Sequence, residues 1–515
     1  MKQADCLIIG AGIAGVALAI QLAEKGRSVV LLSADEDLLE SNSFYAQWGI
    51  VYKGYDDSSE ALQKDIYEAG AGLSNPKAVQ LVAKLGPKIV KEFLMDKCDV
   101  SFDRGASGLS LTQEAAHSCA RILHCKDSTG KGIMEALIRY AYQLKNISIY
   151  KQSVAVDLMT LSHHSKRRTD IYYPGTCVGA YVMDKKTSKV EICFAKETVL
   201  ATGGLGEVFL HTSNPGSARG DGVAMAYRAG ARIMNMEYVQ FHPTTLYVSG
   251  ERRRLLSEAF RGEGAVLLDG KLSPFMSNYH PKADLAPRDV VARGMYEQML
   301  SSDMAHLWLD ISFKPASFIQ ERFPGAYEYC LSKGYNLCKE PVPVVPAAHY
   351  SCGGIAVDES GKSTLHRLYA IGEVSCTGLH GANRLASTSL LEGLVYANRA
   401  AEDIDKHLSV DSYYFPPIDP WVMGEKKVDL ALILQDWATI KQTMWNYVGL
   451  VRDSQRLSRA YKMLQELKND IDTFYQMGKL TDELLGLRNG VQVALLITQG
   501  AIRNKTSLGC HFRID

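Results

Sequence analysis

Leu7-Ile8-Ile9-Gly10-Ala11-Gly12-Ile13-Ala14-Gly15-Val16-Ala17-Leu18-Ala19-Ile20 decides the fold. Residues 5–9 make a short apolar run of strand length, and Gly10, Gly12 and Gly15 spell G-x-G-x-x-G. Residues 16–25 read as a helix stopped by Gly26, and Ser28-Val29-Val30-Leu31-Leu32 is a second apolar run. Strand, glycine turn, helix and strand in that order are the context in which this motif marks a dinucleotide site. Gly10 permits the tight turn, Gly12 lets a pyrophosphate approach the backbone, and Gly15 lets the helix pack close. The N-terminal amides of the helix face the phosphates. The acidic residue that usually ends the second strand and binds a ribose hydroxyl is replaced by Ser33, with Asp35 two residues on. A serine hydroxyl can make the same bond, and nothing nearby favours a 2′-phosphate.

At 515 residues the chain is long enough for more than one domain. Lysine plus arginine and aspartate plus glutamate both total 57, so the formal net charge is zero. That balance speaks against a nucleic-acid binder or a polybasic membrane protein. The basic cluster His163-His164-Ser165-Lys166-Arg167-Arg168 reads as a solvated loop. Eleven cysteines without a C-x-x-C pair exclude a regular disulfide framework and an iron–sulfur site carried by this chain. No apolar run reaches the length of a membrane span, and the first core strand starts too close to Met1 for a signal peptide. A soluble, cytoplasmic protein is the expectation.

Along the chain, residues 41–50 suit a loop over a cofactor. Residues 59–71 and 75–96 read as amphipathic helices, the second opened by Asn75-Pro76. His117 and His124 read as structural histidines, and residues 133–143 as a helix. Residues 148–158, 177–183 and 190–195 suggest a small β-meander. Residues 197–200 then form a buried strand that breaks into Gly203-Gly204 and closes the nucleotide sheet. Asp221 opens an alanine-rich helix, as a ligand or as an N-cap. The expected division is a nucleotide-binding unit over 1–230, an inserted substrate unit over 231–346, a return over 347–412 and a helical unit over 413–515. Pro416-Pro417 and Asp419-Pro420 mark the last linker.

Candidate site residues cluster around the inserted segment. His242 lies in Gln240-Phe241-His242-Pro243-Thr244, Ser257 and Glu258 are adjacent, Arg288 follows Pro287, and His349 and Arg384 sit beside glycines. The planar fork of arginine matches a carboxylate bidentately. A cleft between units, binding a small carboxylate substrate, is the reading that unites them.

The motifs together resemble the succinate dehydrogenase/fumarate reductase flavoprotein family, and within it the branch that oxidises L-aspartate. The resemblance is carried by Ser43-Phe44-Tyr45-Ala46-Gln47, Leu200-Ala201-Thr202-Gly203-Gly204, residues 240–244, Pro287-Arg288-Asp289-Val290-Val291 and Gly381-Ala382-Asn383-Arg384-Leu385-Ala386-Ser387. It extends from Gly10 to the C-terminal helices. The fold it implies is α/β, a Rossmann-like FAD-binding domain with an inserted α+β capping domain and a C-terminal helical domain. FAD would be held without a covalent link, since Asn42 stands where membrane-bound relatives carry the attaching histidine. Its pyrophosphate would lie at residues 11–14 and its ring system beneath Asn42, Ser43, Phe44, Tyr45, Ala46, Gln47, Trp48 and Gly49. Asp221 and Glu373 would hold the adenosine and ribitol side, and Ser389 and Leu390 would face the pyrimidine edge.

The same resemblance implies that His242, His349 and Arg384 bind substrate carboxylates, that Gln240, Ser257 and Glu258 complete the pocket, and that Arg288 carries a proton. Glu114 matches the position used to orient a substrate ammonium. The implied reaction takes L-aspartate to iminoaspartate, with oxygen or fumarate as acceptor, toward quinolinate and NAD; quinolinate synthase is the implied downstream partner. The alternative is a fumarate reductase or succinate dehydrogenase flavoprotein subunit that works with an iron–sulfur partner. A more distant one is a non-catalytic flavin-binding module. The chain departs from the family pattern at Trp48, at Ala115-Ala116 where glycines are usual, at Ser257 where threonine is common, and at Ser507-Leu508-Gly509-Cys510-His511, which lacks a familiar arginine.

Overall fold

The computed structural model describes residues 2–47, 49–105, 108–114, 116–126 and 128–515, so Trp48 and Ala115 lie outside the described residues. The apolar runs on either side of the glycine turn form parallel neighbours, Lys2–Ile9 beside Val29–Leu32. Cys6, Leu7 and Ile8 are wholly buried, as a parallel strand covered on both faces requires. The turn between them is as tight as the motif demands. Gly10 has φ +116°, and a Cβ there would stand 2.2 Å from the carbonyl oxygen of Ala201. A Cβ on Gly15 would stand 2.0 Å from the carbonyl oxygen of Gly10. The helix that follows, Ile13–Glu24, starts three residues earlier than its apolar pattern suggests.

The sheet runs Ile147–Tyr150, Val29–Leu32, Lys2–Ile9, Val190–Leu200, Cys177–Asp184, Ser153–Thr160, and Leu368–Ala370 also pairs with Val190–Leu200. Two expectations change here. The single strand expected over 148–158 is two strands on opposite edges of the sheet, separated at Gln152, whose φ of +49° turns the chain. The runs 190–195 and 197–200 are one strand: Glu197 is buried within it, and its Oε1 accepts from the Tyr413 hydroxyl at 2.9 Å. The basic cluster forms a helical turn, Leu161–His164, and a 3₁₀ turn, Arg168–Tyr172, in place of an open loop. The second expected helix is α-helical over Pro76–Ile89 and continues as a wider π-helix over Val90–Lys97, beyond the internal Pro87.

A second sheet is antiparallel throughout, in the order Arg254–Leu255, Val239–Leu246, Val342–Ser351, Leu307–Asp310, Val266–Leu268. Val342–Ser351 crosses residue 346 without a break. Three long helices, Leu430–Val448, Ser454–Met477 and Asp482–Arg503, close the chain. Each is capped by a side chain that accepts an orphan N–H, from Asp429, Asp453 and Thr481 respectively. The final segment returns to the body of the protein: the N–H of Cys510 donates to Ala382 at 2.9 Å and its Sγ to Asn383 Oδ1 at 3.1 Å. A contact from this segment to the 381–384 loop therefore exists without the missing arginine. Among the described residues no helix is long and apolar enough to cross a membrane.

Two buried ion pairs fix the segment that carries Glu114. Arg121 is fully buried between Asp57, at 3.0 Å, and Asp65, at 2.7 Å. Asp65 also accepts from the N–H and hydroxyl of Ser118. This ties residues 114–121 to the helix Ser59–Ala69. Removing Asp65 leaves the buried guanidinium only Asp57 and takes the acceptor from Ser118; breaking a buried pair in this way costs up to roughly 3–5 kcal/mol. Asp65→Ala should therefore lower the denaturant midpoint substantially. Lys64→Ala, which breaks only the exposed pair with Glu68, should cost less than about 0.5 kcal/mol. Equal midpoints for the two variants would contradict the anchoring role.

Candidate active site

The glycine turn, the loop after the second strand and the antiparallel sheet face one cavity of ≈1170 Å³. At one end it is lined by Gly10, Ala11, Gly12, Ile13, Ala14, Ser33 and Asp35. Gly15 is not in the lining; it lets the helix close on the turn. Ser33 Oγ lies 3.2 Å from the carbonyl oxygen of Asp35, to which it donates. Asn42, Ser43, Phe44, Tyr45, Ala46, Gln47 and Gly49 form one wall. The loop is tied across the turn: Ser43 Oγ accepts from the N–H of Ile13 at 3.1 Å, and Gln47 donates to the carbonyl of Leu255 at 3.1 Å.

Glu373 and Asp221 also line this end. Glu373 accepts from the Ser351 N–H at 3.1 Å and the Asn42 amide at 3.2 Å. Burial pushes its carboxyl up to about 7, against these bonds and the positive field of Arg384. Asp221 is not an N-cap. Gly220, at φ +76°, takes that place, and Asp221 is held by Arg219 at 2.8 Å and Asn489 at 2.9 Å. Ser389 and Leu390 begin the 22-residue helix Ser389–Val410, and its N-cap residue, Thr388, makes no side-chain cap bond. Its orphan amides and dipole are thus available at the cavity. Glycine turn, uncapped helix start and long cavity fit a dinucleotide with a flat ring system.

The other end is built by two irregularities in the antiparallel sheet. Gln240 pairs with Tyr350 but Phe241 with Ala348, so His349 is an extra, bulged residue. His242 pairs with Ala347 but Thr245 with Val345, so Pro243 and Thr244 stand opposite Pro346. Proline cannot join a ladder, and bulges re-aim side chains. Both histidines line the cavity, their rings 5.5 Å apart. The N–H of Thr244 donates to His242 Nδ1 at 3.2 Å, which leaves the proton of a neutral ring on Nε2. Nδ1 of His349 shares a hydrogen bond with Ser213 Oγ at 2.8 Å. Burial, reinforced by Arg288 at His242 and by Arg384 at His349, holds both imidazoles well below the usual range.

Glu114, Ser257, Glu258, Arg288 and Arg384 line the same end. Ser257 caps the short helix Glu258–Gly262 by accepting from the Ala259 N–H at 3.0 Å. Arg288 Nε donates to Glu258 Oε2 at 2.5 Å. Burial opposes the charge of each, yet the arginine's pKa is raised by Glu258 and Glu114, and the Glu258 carboxyl is lowered by Arg288 and Arg261. Glu114 differs. Burial raises its pKa against Arg288 and the hydroxyl of Ser387, which donates to Oε1 at 3.0 Å and Oε2 at 3.1 Å.

Gln240 stands outside the cavity lining, behind Arg384. It accepts from Arg384 Nη2 at 3.1 Å and donates to that residue's carbonyl at 3.0 Å. Sequence reasoning also passed over Ser387 and Arg261, both in the lining. The only signal for Ser387 was its place at the end of the Gly381–Ser387 motif. His117, expected to be structural, bonds the carbonyl of Ala386 through Nε2 at 3.0 Å.

Comparison with known proteins places the whole chain in a family. The FAD binding domain family matches residues 5–390, and the fumarate reductase flavoprotein C-terminal family matches residues 437–515. An L-aspartate oxidase of Yersinia pestis is 44% identical over 99% of this chain and 96% of its own. The chain belongs to the L-aspartate oxidase family. A chloroplastic L-aspartate oxidase of Nicotiana tabacum is 38% identical over 99% of this chain and 81% of its own. In three dimensions the chain is similar to FrdA of the E. coli quinol fumarate reductase, with a TM-score of 0.87 at 25% identity, covering 100% of this chain and 92% of that one. Membership of this family makes FAD the cofactor.

Glu373 gives this site a pH signature in the FAD-free protein. Its carboxyl keeps its proton to about pH 7 in the fold, while an unfolded glutamate loses it near 4.5. Its contribution is fully present below pH 4.5 and is lost as pH rises through 7, a fall of about 3 kcal/mol. Glu373→Gln apoprotein should therefore match the parent in stability near pH 4.5 and exceed it at pH 8. A stability difference that does not change with pH would remove this assignment.

Proposed function

We propose that this protein oxidises L-aspartate to iminoaspartate with non-covalently held FAD, using oxygen or fumarate as acceptor, as the first step toward quinolinate and NAD. The observation that carries the reading is Glu114. Glu258 is already paired with Arg288, whereas the carboxylate of Glu114 is bonded only to a serine hydroxyl among the described residues. A half-buried carboxylate in the cleft without a cation in direct contact suits a ligand that brings its own ammonium. Succinate brings none. A fumarate reductase subunit accounts for the arginines and histidines but leaves Glu114 without a role.

The residues would hold FAD as follows: residues 11–14 at the pyrophosphate, Ser33 at the ribose, residues 42–47 over the ring, and Ser389 and Leu390 at its pyrimidine edge. When bound, FAD supplies the two-electron chemistry, taking the hydrogen of the aspartate α-carbon and passing the electron pair to oxygen, giving hydrogen peroxide, or to fumarate, giving succinate. Arg384 and the N–H groups of His242 and His349 would take the carboxylates. Neutral imidazoles donate there without adding charge to a cleft already rich in guanidinium. Glu114 would fix the ammonium and so set which hydrogen of the substrate faces the ring. Arg288 has Nε engaged by Glu258, leaving its Nη groups to reach substrate and to deliver the proton that fumarate reduction requires. Eleven free thiols support a reducing compartment, and the reading places the enzyme in the cytoplasm, with quinolinate synthase taking up its unstable imine.

Aspartate-dependent bleaching of the flavin without air, followed by reoxidation with oxygen or fumarate, tests the reading directly. Glu114→Gln should lose about 1.5–3 kcal/mol of transition-state stabilisation toward aspartate, the range for a hydrogen bond to a charged group. Its fumarate reduction should be largely kept, and equal loss of both activities would make Glu114 structural. Arg288→Lys keeps a charge but not the fork. If Arg288 delivers the proton, saturating fumarate turnover should fall by about 10²–10⁴-fold, with a smaller effect on flavin reduction by aspartate. Near-normal fumarate turnover would exclude it as donor.

A further inference from the structure

Arg384 is buried, yet no carboxylate of the protein bonds it among the described residues. Its Nη2 donates to Gln240 and its Nε has no hydrogen-bond partner. Its guanidinium carbon lies 4.7 Å from the centre of the Tyr350 ring. That ring is itself fixed from behind. The Tyr350 hydroxyl donates to Glu392 Oε2 at 3.0 Å, and His380 Nε2 lies 3.1 Å from the same hydroxyl and 2.9 Å from Glu392 Oε2. Thr377 donates to the other oxygen of Glu392 at 2.6 Å. Glu392, His380 and Tyr350 are all buried.

We propose that Tyr350 is the positioning residue for Arg384: its ring face carries the guanidinium, and its bond to Glu392 locks the ring. A cation over an aromatic face is stabilised most where both are desolvated. A phenol that donates to a carboxylate has a more electron-rich ring and hence a more attractive face. The platform leaves the part of Arg384 that lines the cavity free for a substrate carboxylate, where a protein carboxylate in its place would compete, while the unpartnered Nε stays buried behind it. Gln240 fixes the orientation within the plane and Tyr350 fixes the plane. This deepens the proposed reading of Arg384 as a carboxylate clamp and rests on it.

The test is the affinity of the FAD-loaded enzyme for succinate, read from the change in flavin absorbance, together with KM and kcat for fumarate. FAD content and thermal midpoint check that each variant is folded. Tyr350→Phe, which keeps the face and loses the bond to Glu392, should weaken succinate about two- to fivefold. Tyr350→Leu should weaken it twentyfold or more and raise KM for fumarate in step, with kcat within about threefold. Arg384→Lys should weaken succinate at least as much as Tyr350→Leu. Unchanged affinity in Tyr350→Leu overturns the platform, as does equal impairment in the Phe and Leu variants. If the Leu variant does not fold, parental affinity in Tyr350→Phe does the same. An enzyme that binds succinate in this graded way but does not oxidise aspartate would sink the proposed reaction while upholding the platform. Parental succinate affinity in Arg384→Lys would remove the clamp and the platform together.

Discussion

Three guanidinium groups line one cavity, Arg261 and Arg384 buried and Arg288 half-buried, and each is held by a different device. Arg288 has a carboxylate in contact and a second within its field. Arg261 donates to the carbonyl of Asp284 at 2.5 Å and lies 3.7 Å from Glu258. Arg384 has an amide oxygen and an aromatic face. Taking such charges out of water is costly unless they are paired. The last arrangement is therefore the least compensated, and it is the one that an anionic ligand would complete. The same field explains the histidines. Two imidazoles beside these cations are held neutral; His242, whose Nδ1 accepts from the Thr244 N–H, offers its single N–H at Nε2, and His349 is oriented by its bond to Ser213.

The fold was legible wherever its cause is local. The glycine spacing around Gly10 reports a turn that cannot hold a side chain, and the sequence shows this without any knowledge of Ala201, the residue it would strike. The apolar runs gave the central strands. Where partner choice is long-range, the pattern was silent. Residues 148–158 look like one strand because both halves are apolar, but the halves pair with different edges of the sheet. Strand pairing is a property of the assembled sheet, and periodicity does not encode it.

The site divides the same way. His242 and His349 could be picked out beside Pro243 and a run of glycines, and Pro243 with Pro346 in fact marks one of the two sheet irregularities, the one next to His242, while His349 is itself the extra residue of the other. Gln240 carries the same kind of motif signal, and alternation alone would put it on the same face as His242, yet it stands behind Arg384, a partner that only the assembled fold brings to it. Ser387 and Arg261 were missed because a lone serine or arginine becomes informative only when its partner, far off in sequence, is in place. The match of the whole motif set supplied what spacing alone could not.

Glu114 shows how local strain and distant anchoring combine. Ser387, which bonds it, has φ +57°, and Ala116, two residues beyond it, has φ +67°. Non-glycine residues in the left-handed region cost roughly 1–3 kcal/mol each, and persist only where the surroundings over-determine them. Here the surroundings are the Arg121 pairs with Asp57 and Asp65, which fix one end of the segment, and the bond from His117 to Ala386, which ties it to the residue before Ser387. Released from these, the carboxylate would be drawn toward Arg288, whose field already acts on it. A second Glu–Arg pair in the cleft would neutralise the group available for an ammonium. The strained pair of backbones is thus the physical condition for a carboxylate to stay uncommitted beside three guanidinium groups.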